Sequence, residues 1–216
     1  MTRGRFITFE GGEGAGKTTQ IRRLAERLSK GAPAHSREVV TTREPGGSPG
    51  AELLRDLLVK GAVDRWSPTS ETLILYAARE DHLQRLIRPA LARGAWVLSD
   101  RFADSTRAYQ GAAGGANTAL IADLERTVVG EDRPDLTFIL DVPVELGLSR
   151  AHGRGGNETR FEDKGLAFHT RLRDAFLAIA EAEPARCAVI DATEPPDAVA
   201  EAIWRQVCAR LALEAA

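Results

Sequence analysis

The sequence predicts an α/β fold: a parallel sheet of about five strands, helices on both faces, and one short insertion. Three observations carry that expectation. Short apolar runs rich in β-branched and aromatic residues alternate with longer segments of helical periodicity, the order that makes strands run parallel. A glycine-rich stretch joins the first apolar run to the first helix. Charged residues stand where several of the apolar runs end, and that is where an open parallel sheet presents its ligands.

The first strand spans about Arg5 to Glu10 and breaks into Gly11-Gly12-Glu13-Gly14-Ala15-Gly16-Lys17-Thr18-Thr19. The spacing Gly11-x-x-x-x-Gly16-Lys17-Thr18 is the phosphate-loop pattern. Glycines let the backbone turn its N–H groups onto phosphate oxygens, and the following helix adds its unpaired N–H groups and positive dipole end. Lys17 places a mobile charge at the β/γ-phosphates, and Thr18 offers a hydroxyl to Mg²⁺. A glycine-rich turn with a fortuitous Lys-Thr is the competing reading. The strand before the loop and the helix after it, both where the motif needs them, decide against it. The expected fold is therefore that of a P-loop NTPase, with residues 11–19 holding the nucleoside triphosphate.

Helix one runs from Lys17 to about Lys30, with Ile21, Leu24, Ala25 and Leu28 on one face and Gly31 as its stop. Glu38 to Thr42 is a second strand, and Arg43 to Gly50 is too rich in Gly and Pro to be anything but a loop. Ala51 to Lys60 is a short helix; Ser67-Pro68 caps a long one from about Thr69 to Arg88. Ala95 to Asp100 is a third strand. A turn at Gly111 to Gly115 precedes a helix over about Asn117 to Val129, and Asp135 to Asp141 is a fourth strand. Pro143 to Ala151 is helical, His152 to Asp163 is a polar, glycine-containing insertion, and Gly165 to Ala182 is helical again. Cys187 to Asp191 is the fifth strand and Pro196 to Leu213 the closing helix. With no repeat, linker or low-complexity segment, residues 1–216 read as one domain.

Hydrophobic residues at 43% and charged residues at 28% exclude wholesale disorder. A net charge of −2 gives no global reason to expect a nucleic-acid or membrane partner. Cys187 and Cys208 have no metal or redox spacing, the start of the chain lacks a leader's apolar region, and no apolar run is long enough to span a bilayer. The expectation is a reduced, cytoplasmic protein. The three tryptophans and the cysteines read as packing residues.

The strand exits carry the chemistry. The second delivers Arg43-Glu44-Pro45-Gly46-Gly47, the third Asp100-Arg101, the fourth Asp141 and the fifth Asp191. A lone strand-end Asp is often only a helix cap, so convergence carries the weight. Asp100 suits Mg²⁺, and Arg101 suits the bridging of two phosphates, since a guanidinium binds oxyanions two at a time and keeps its charge. A phosphate loop with two further arginine sites suggests two phosphorylated ligands, the pattern of a kinase whose acceptor is itself a phosphate.

The chain resembles the bacterial thymidylate kinases. The matching segments are Phe9 to Thr19, Thr42 to Gly47, Tyr76-Ala-Ala-Arg79, Asp100-Arg101 with Ser105-Thr106 and Ala108-Tyr-Gln-Gly111, and Arg160-Phe-Glu162, in the family's order along nearly the whole chain. The resemblance implies transfer of the ATP γ-phosphoryl group to dTMP, giving dTDP, with Mg²⁺, in a homodimer. It places Glu13 at the sugar 3′-hydroxyl, Arg55 and Arg101 on the dTMP phosphate, and Arg79 on the thymine edge. Ser105, Thr106 and Gln110 fall on the base-and-phosphate segment, Glu44 and Pro45 on its neighbouring loop, and Tyr109 where an aromatic crowds the 2′ position. Some members carry a basic residue inside the phosphate loop; here that position is Gly14. The catalytic arginine is then expected in the lid, 152–163, with Arg154 first and Arg160 second.

Two positions depart from the family pattern. Leu75 stands where a phenylalanine usually stacks on thymine, and Tyr76 points about 100° away on a helix. Thr159 replaces the Asp before the lid arginine, which leaves Glu158, Glu162 or Asp163 for any lid carboxylate. Another nucleotide or deoxynucleoside kinase, or a nucleotide-dependent switch protein, is the rival reading; the absence of Asn-Lys-x-Asp argues against a GTPase switch.

Overall fold

The computed structural model describes residues 3–30, 38–153, 160–161 and 164–211. Among these, five strands form one all-parallel sheet: β1 (Phe6–Glu10), β2 (Val39–Arg43), β3 (Trp96–Asp100), β4 (Leu136–Asp141) and β5 (Cys187–Asp191), in the order β2-β3-β1-β4-β5. The helices are α1 (Lys17–Ser29), α2 (Pro49–Val59), α3 (Pro68–His82), α4 (Arg88–Ala92), α5 (Ala103–Thr106), α6 (Thr118–Leu124), α7 (Val144–His152), α8 (Leu166–Ala182) and α9 (Pro196–Leu211). Wide π-helical turns, Leu83–Ile87, Arg107–Ala113 and Glu125–Val129, prolong α3, α5 and α6.

Every residue of β1 is buried, as a strand covered on both faces must be. Its alternation sorts the core. Ile7 and Phe9 pack with Leu98, Phe138, Ile21 and Leu24 on the α1/α9 side. Phe6 joins Val97, Tyr76, Ile87 and Phe102 on the other. Period two puts Glu10 on the Phe6 side, facing the start of α5. A third cluster seats Phe168, Leu172 and Phe176 of α8 against Ile139 and Tyr109. Trp96 lies in the core, Trp204 packs at its margin beneath Arg27, and the Trp66 indole donates to the Leu57 carbonyl. Cys187 and Cys208 are free thiols, and among the described residues no helix is long and apolar enough to cross a membrane.

Two stretches differ from the sequence expectation. α2 begins at Pro49 rather than Ala51, because Ser48 is extended and proline at the first helical position has no N–H to leave unpaired. The chain after β3 is helical from Ala103 to Ala113, where the sequence suggested a glycine-rich turn from Gly111. Its Ser, Thr and Gly content is poor for helices. The burial of Ala103, Ala108, Tyr109 and Gln110 overrides that local preference. The predicted lid, 152–163, lies mostly outside the described residues.

β1 sits between β3 and β4, so the strand order reverses there. The crevice beyond its carboxyl end is the switch point at which such sheets bind ligands.

Candidate active site

Beyond Glu10 the chain must turn sharply and pass close to its neighbours. Gly11 has φ 129°, and a Cβ there would lie 2.4 Å from the Leu140 carbonyl oxygen. Gly14 has φ 67°, and a Cβ there would lie 1.9 Å from the Gly147 carbonyl oxygen of α7. No side chain fits at Gly14, basic or otherwise. The missing loop charge is therefore a consequence of how closely α7 crosses the loop. Lys17 folds back over the loop, with Nζ donating to the carbonyls of Gly11 (3.2 Å) and Gly12 (2.9 Å). Burial, helped by the Arg101 charge, brings its ammonium down to about 8.

Thr18 Oγ1 donates to Asp100 Oδ2 at 2.7 Å, so the first turn of α1 and the end of β3 meet and bring together the two residues expected at a metal. A hydroxyl and a carboxylate are hard oxygen ligands of the kind Mg²⁺ takes. Among the described residues no group of three or more His, Cys, Asp or Glu side chains could form a protein cage for a metal.

Arg101 organises the groups beside the loop. Its backbone is left-handed, φ 71°, which costs a non-glycine residue about 1–2 kcal/mol. Its N–H on the Phe9 carbonyl (2.9 Å) and its carbonyl under Ser99 Oγ (2.8 Å) hold that conformation. Nη1 donates to Gly11 O at 3.0 Å and Ser105 Oγ at 3.2 Å, and Nη2 donates to both oxygens of Glu13 at 3.1 Å. The guanidinium lies 4.7 Å from the centre of the Tyr109 ring, and the Tyr109 hydroxyl donates to Glu13 Oε1 at 2.5 Å. Burial alone would raise the Glu13 carboxyl; Arg101, Lys17 and Tyr109 outweigh it and hold it down at about 2. Glu13, Arg101, Ser105 and Tyr109 thus form one cluster around the phosphate loop.

A second cluster surrounds Arg79. Its Nε donates to Glu44 Oε2 at 2.8 Å, and Nη2 to Phe102 O at 3.1 Å and Thr106 Oγ1 at 3.0 Å. Nη1, buried, has no hydrogen-bond partner. The guanidinium lies over the rings of Tyr76 and Phe102. Leu75, half-buried, is one turn earlier on α3. Arg55 reaches from α2 to the carbonyl of Pro45 at 2.7 Å, which ties it to the Glu44-Pro45 loop. Gln110 Nε2 donates to Glu71 Oε1 at 2.8 Å.

Arg160 is placed differently from the catalytic expectation. It is 3% exposed and faces the α2–α3 connection. Nε, Nη1 and Nη2 donate to the carbonyls of Ala62, Leu58 and Val63, each at 3.0 Å, and the guanidinium pairs with Glu71. In this arrangement its charge and donors are engaged by the α2–α3 connection and Glu71. Arg154, Glu158, Thr159, Glu162 and Asp163 lie outside the described residues.

Sequence reasoning missed three buried groups near the site, Glu10, Glu71 and His82. Glu10 accepts from the Phe102 N–H (2.7 Å) and Ser105 Oγ (2.6 Å), capping the α5 segment. Burial, with Asp104 adding, lifts it to about 8. Glu71 joins Gln110 to Arg160, and Glu44 joins Arg79 to His82. The alternation of β1 could have revealed Glu10, and the i, i+3 spacing of Arg79 and His82 could have shown them on one face. Asp141 and Asp191 answer to structure: Arg173 takes Asp141 with two bonds, 2.6 and 2.8 Å, and Asp191 accepts from Thr193 within its own turn.

A parallel sheet with a glycine loop at its switch point, a lysine across the loop, and a Thr–Asp pair at its edge defines a P-loop protein that handles nucleotide phosphates. The comparisons with known proteins narrow the class. Residues 9–203 match the family described as Thymidylate kinase. A thymidylate kinase of Caulobacter vibrioides is 63% identical over 213 residues, 99% of this chain and 100% of that protein. One of Bradyrhizobium diazoefficiens is 54% identical over 211 residues, 97% of this chain and 91% of that protein. Among solved structures, a thymidylate kinase from Ehrlichia chaffeensis superposes with a TM-score of 0.77 at 36% identity, over 95% of this chain and 99% of that one. The chain belongs to the thymidylate kinase family.

Proposed function

We propose that the two arginine clusters divide one acceptor between them: Arg101 and Arg55 take the phosphate of dTMP, and Arg79 takes its thymine. The activity is that of a dTMP kinase, moving the γ-phosphoryl group of ATP onto dTMP to give dTDP and ADP. The observation that carries the assignment is the unpartnered Nη1 of Arg79, a buried donor fixed by three bonds to its neighbours. A thymine carbonyl would satisfy it.

Residues 11–19 wrap the ATP phosphates with backbone N–H groups. Lys17 exchanges the carbonyls of Gly11 and Gly12 for phosphate oxygens. Glu13 turns from Arg101 to the sugar 3′-hydroxyl, and Tyr109, packed edge-on against Phe161 at 5.6 Å, closes the 2′ side. Leu75 gives the base an aliphatic face, while Ser105, Thr106 and Gln110 complete its polar rim with Glu44 and Pro45. Thr18 and Asp100 would hold Mg²⁺, which neutralises charge on the β/γ-phosphates. The transfer is a direct in-line exchange: an oxygen of the dTMP phosphate bonds to Pγ as the bond from Pγ to the β,γ-bridging oxygen breaks. The acceptor is already ionised, so no general base is needed. Catalysis is positioning and charge neutralisation by Lys17 and Arg101. With Arg160 engaged elsewhere, Arg154 is left as the lid arginine for the transition state.

We place the protein in the cytoplasm as a homodimer. Leu53, 75% exposed on α2, and the exposed Leu57 and Leu73 offer apolar surface to a second copy. The test is transfer from ATP to each nucleoside monophosphate and to thymidine. dTMP is the preferred acceptor; a preference for dUMP, dCMP or thymidine would refute the assignment of the base site.

A further inference from the structure

His82 ends α3 three residues after Arg79, so both side chains leave one face of the helix. It is wholly buried, and no step of the transfer uses it. Both ring nitrogens are engaged: Nδ1 lies 3.1 Å from Glu44 Oε1, and Nε2 lies 2.7 Å from Thr42 Oγ1. A carboxylate paired with arginine only accepts, so Nδ1 carries the proton, and Nε2 accepts from the Thr42 hydroxyl. The loop passes this bond closely enough that only glycine fits. A Cβ on Gly47 would lie 2.4 Å from both His82 Nε2 and Thr42 Oγ1.

Glu44 is therefore shared, with one oxygen on each partner. A buried guanidinium and carboxylate left to themselves favour a two-point fork. Here Oε1 is held by His82, and Glu44 grips Arg79 through Nε alone. The outer nitrogens stay on the side of the site, with Nη2 on Phe102 and Thr106 and Nη1 unpaired. Without the histidine, the freed oxygen is drawn to the remaining guanidinium N–H groups and turns them away from the acceptor.

We propose that His82 is a positioning residue for dTMP: by holding one oxygen of Glu44 it keeps Arg79 aimed at the base. The proposal rests on the reading of Arg79 as the residue that meets thymine.

Steady-state kinetics on His82→Asn, His82→Gln and Arg79→Ala test it. Asparagine can place its amide nitrogen near the position of Nδ1 and keep the donor to Glu44. Glutamine places its amide near Nε2 and loses that donor. His82→Asn should keep KM for dTMP within about threefold of the unaltered protein, and His82→Gln should raise it about tenfold or more, with kcat and KM for ATP little changed. Equal damage from both substitutions, or a loss shared between the two substrates, marks a merely structural histidine and overturns the proposal. Arg79→Ala separates the two readings. An unchanged KM for dTMP in that variant removes the base-reading role and this inference with it. A raised KM there with a normal one in His82→Gln removes only this inference. ¹⁵N NMR of the histidine side chains in the unaltered protein needs no variant to fold: a proton on Nδ1 supports the relay, and a proton on Nε2 alone overturns it.

Discussion

Replacing Arg160 by methionine removes a guanidinium held by four acceptors, three of them backbone carbonyls and the fourth the Glu71 carboxylate. The side chains of the ion pair are 1% and 6% exposed. Methionine fills much of the stem's volume but leaves Glu71 buried without its cation. Losing one member of such a pair costs about 3–5 kcal/mol. The carbonyls of Ala62 and Val63 lie in an exposed loop, where water can replace the lost donors, so they add little. In a chain of this size each kcal/mol lowers Tm by about 2–4 °C, so Tm should fall by about 6–20 °C. Glu71 also holds Gln110, so the loosening reaches the acceptor side. KM for dTMP should rise while kcat at saturation changes little. Calorimetry and kinetics on one preparation check both. A Tm within about 2 °C of the unaltered protein, with a hundredfold loss of kcat, would refute the reasoning and return Arg160 to the transition state.

Lys17→Ala should abolish transfer while the protein still unfolds cooperatively near its normal temperature; turnover like that of the unaltered protein would refute the central assignment. Glu10→Gln should change the pH dependence of stability. The carboxyl titrates near 4.5 unfolded and about 8 folded, so the native state binds the extra proton and stability falls as pH rises across that window. The amide mimics the protonated acid and should flatten the fall, measured by thermal unfolding at several pH values; an unaltered slope counts against the assignment. Glu13, held at about 2, works in the opposite sense, its contribution being lost as pH drops from about 4.5 towards 2. Gly14→Arg should not supply a catalytic charge. It forces an L side chain to φ 67° against the Gly147 carbonyl and should destabilise by at least about 1–2 kcal/mol; a variant of normal Tm and raised kcat would show that the loop can open.

The parts legible in the sequence are those set by local rules. Alternating apolar runs located all five strands, with bounds within a residue or so, because buried parallel strands have no other use for such composition. The phosphate loop was legible because glycine spacing and the Lys-Thr pair are dictated by the anion. What stayed hidden depends on which neighbours meet in space. The Ala103–Ala113 helix rests on burial rather than propensity, so its residues gave a misleading local signal. Arg160 carries the same charge whether it meets a phosphate or Glu71, and only the packing of residues 58–63 against it separates the two. Gly14 was read as a position lacking charge, whereas its cause is a backbone crossing more than a hundred residues away in sequence.

On the proposed reading, the cations that meet phosphate are already paired. Lys17 is held by carbonyls of its own loop, and Arg101 by Gly11 and by a Glu13 whose carboxyl Arg101, Lys17 and Tyr109 hold low, at about 2. Nucleotide binding is therefore an exchange of acceptors rather than a filling of open charges. Trading a neutral carbonyl for a phosphate oxygen is favourable for Lys17, since its ammonium then meets a full negative charge rather than a dipole. For Arg101 the exchange gains only if Glu13 finds a new donor as it lets go. A deoxyribose 3′-hydroxyl can be that donor, and inorganic phosphate alone offers no sugar hydroxyl. On that reading the Glu13–Arg101 pair links recognition of the acceptor's sugar to capture of its phosphate. The strained backbone of Arg101, tied to β1 and Ser99, keeps the guanidinium in place while its partners change.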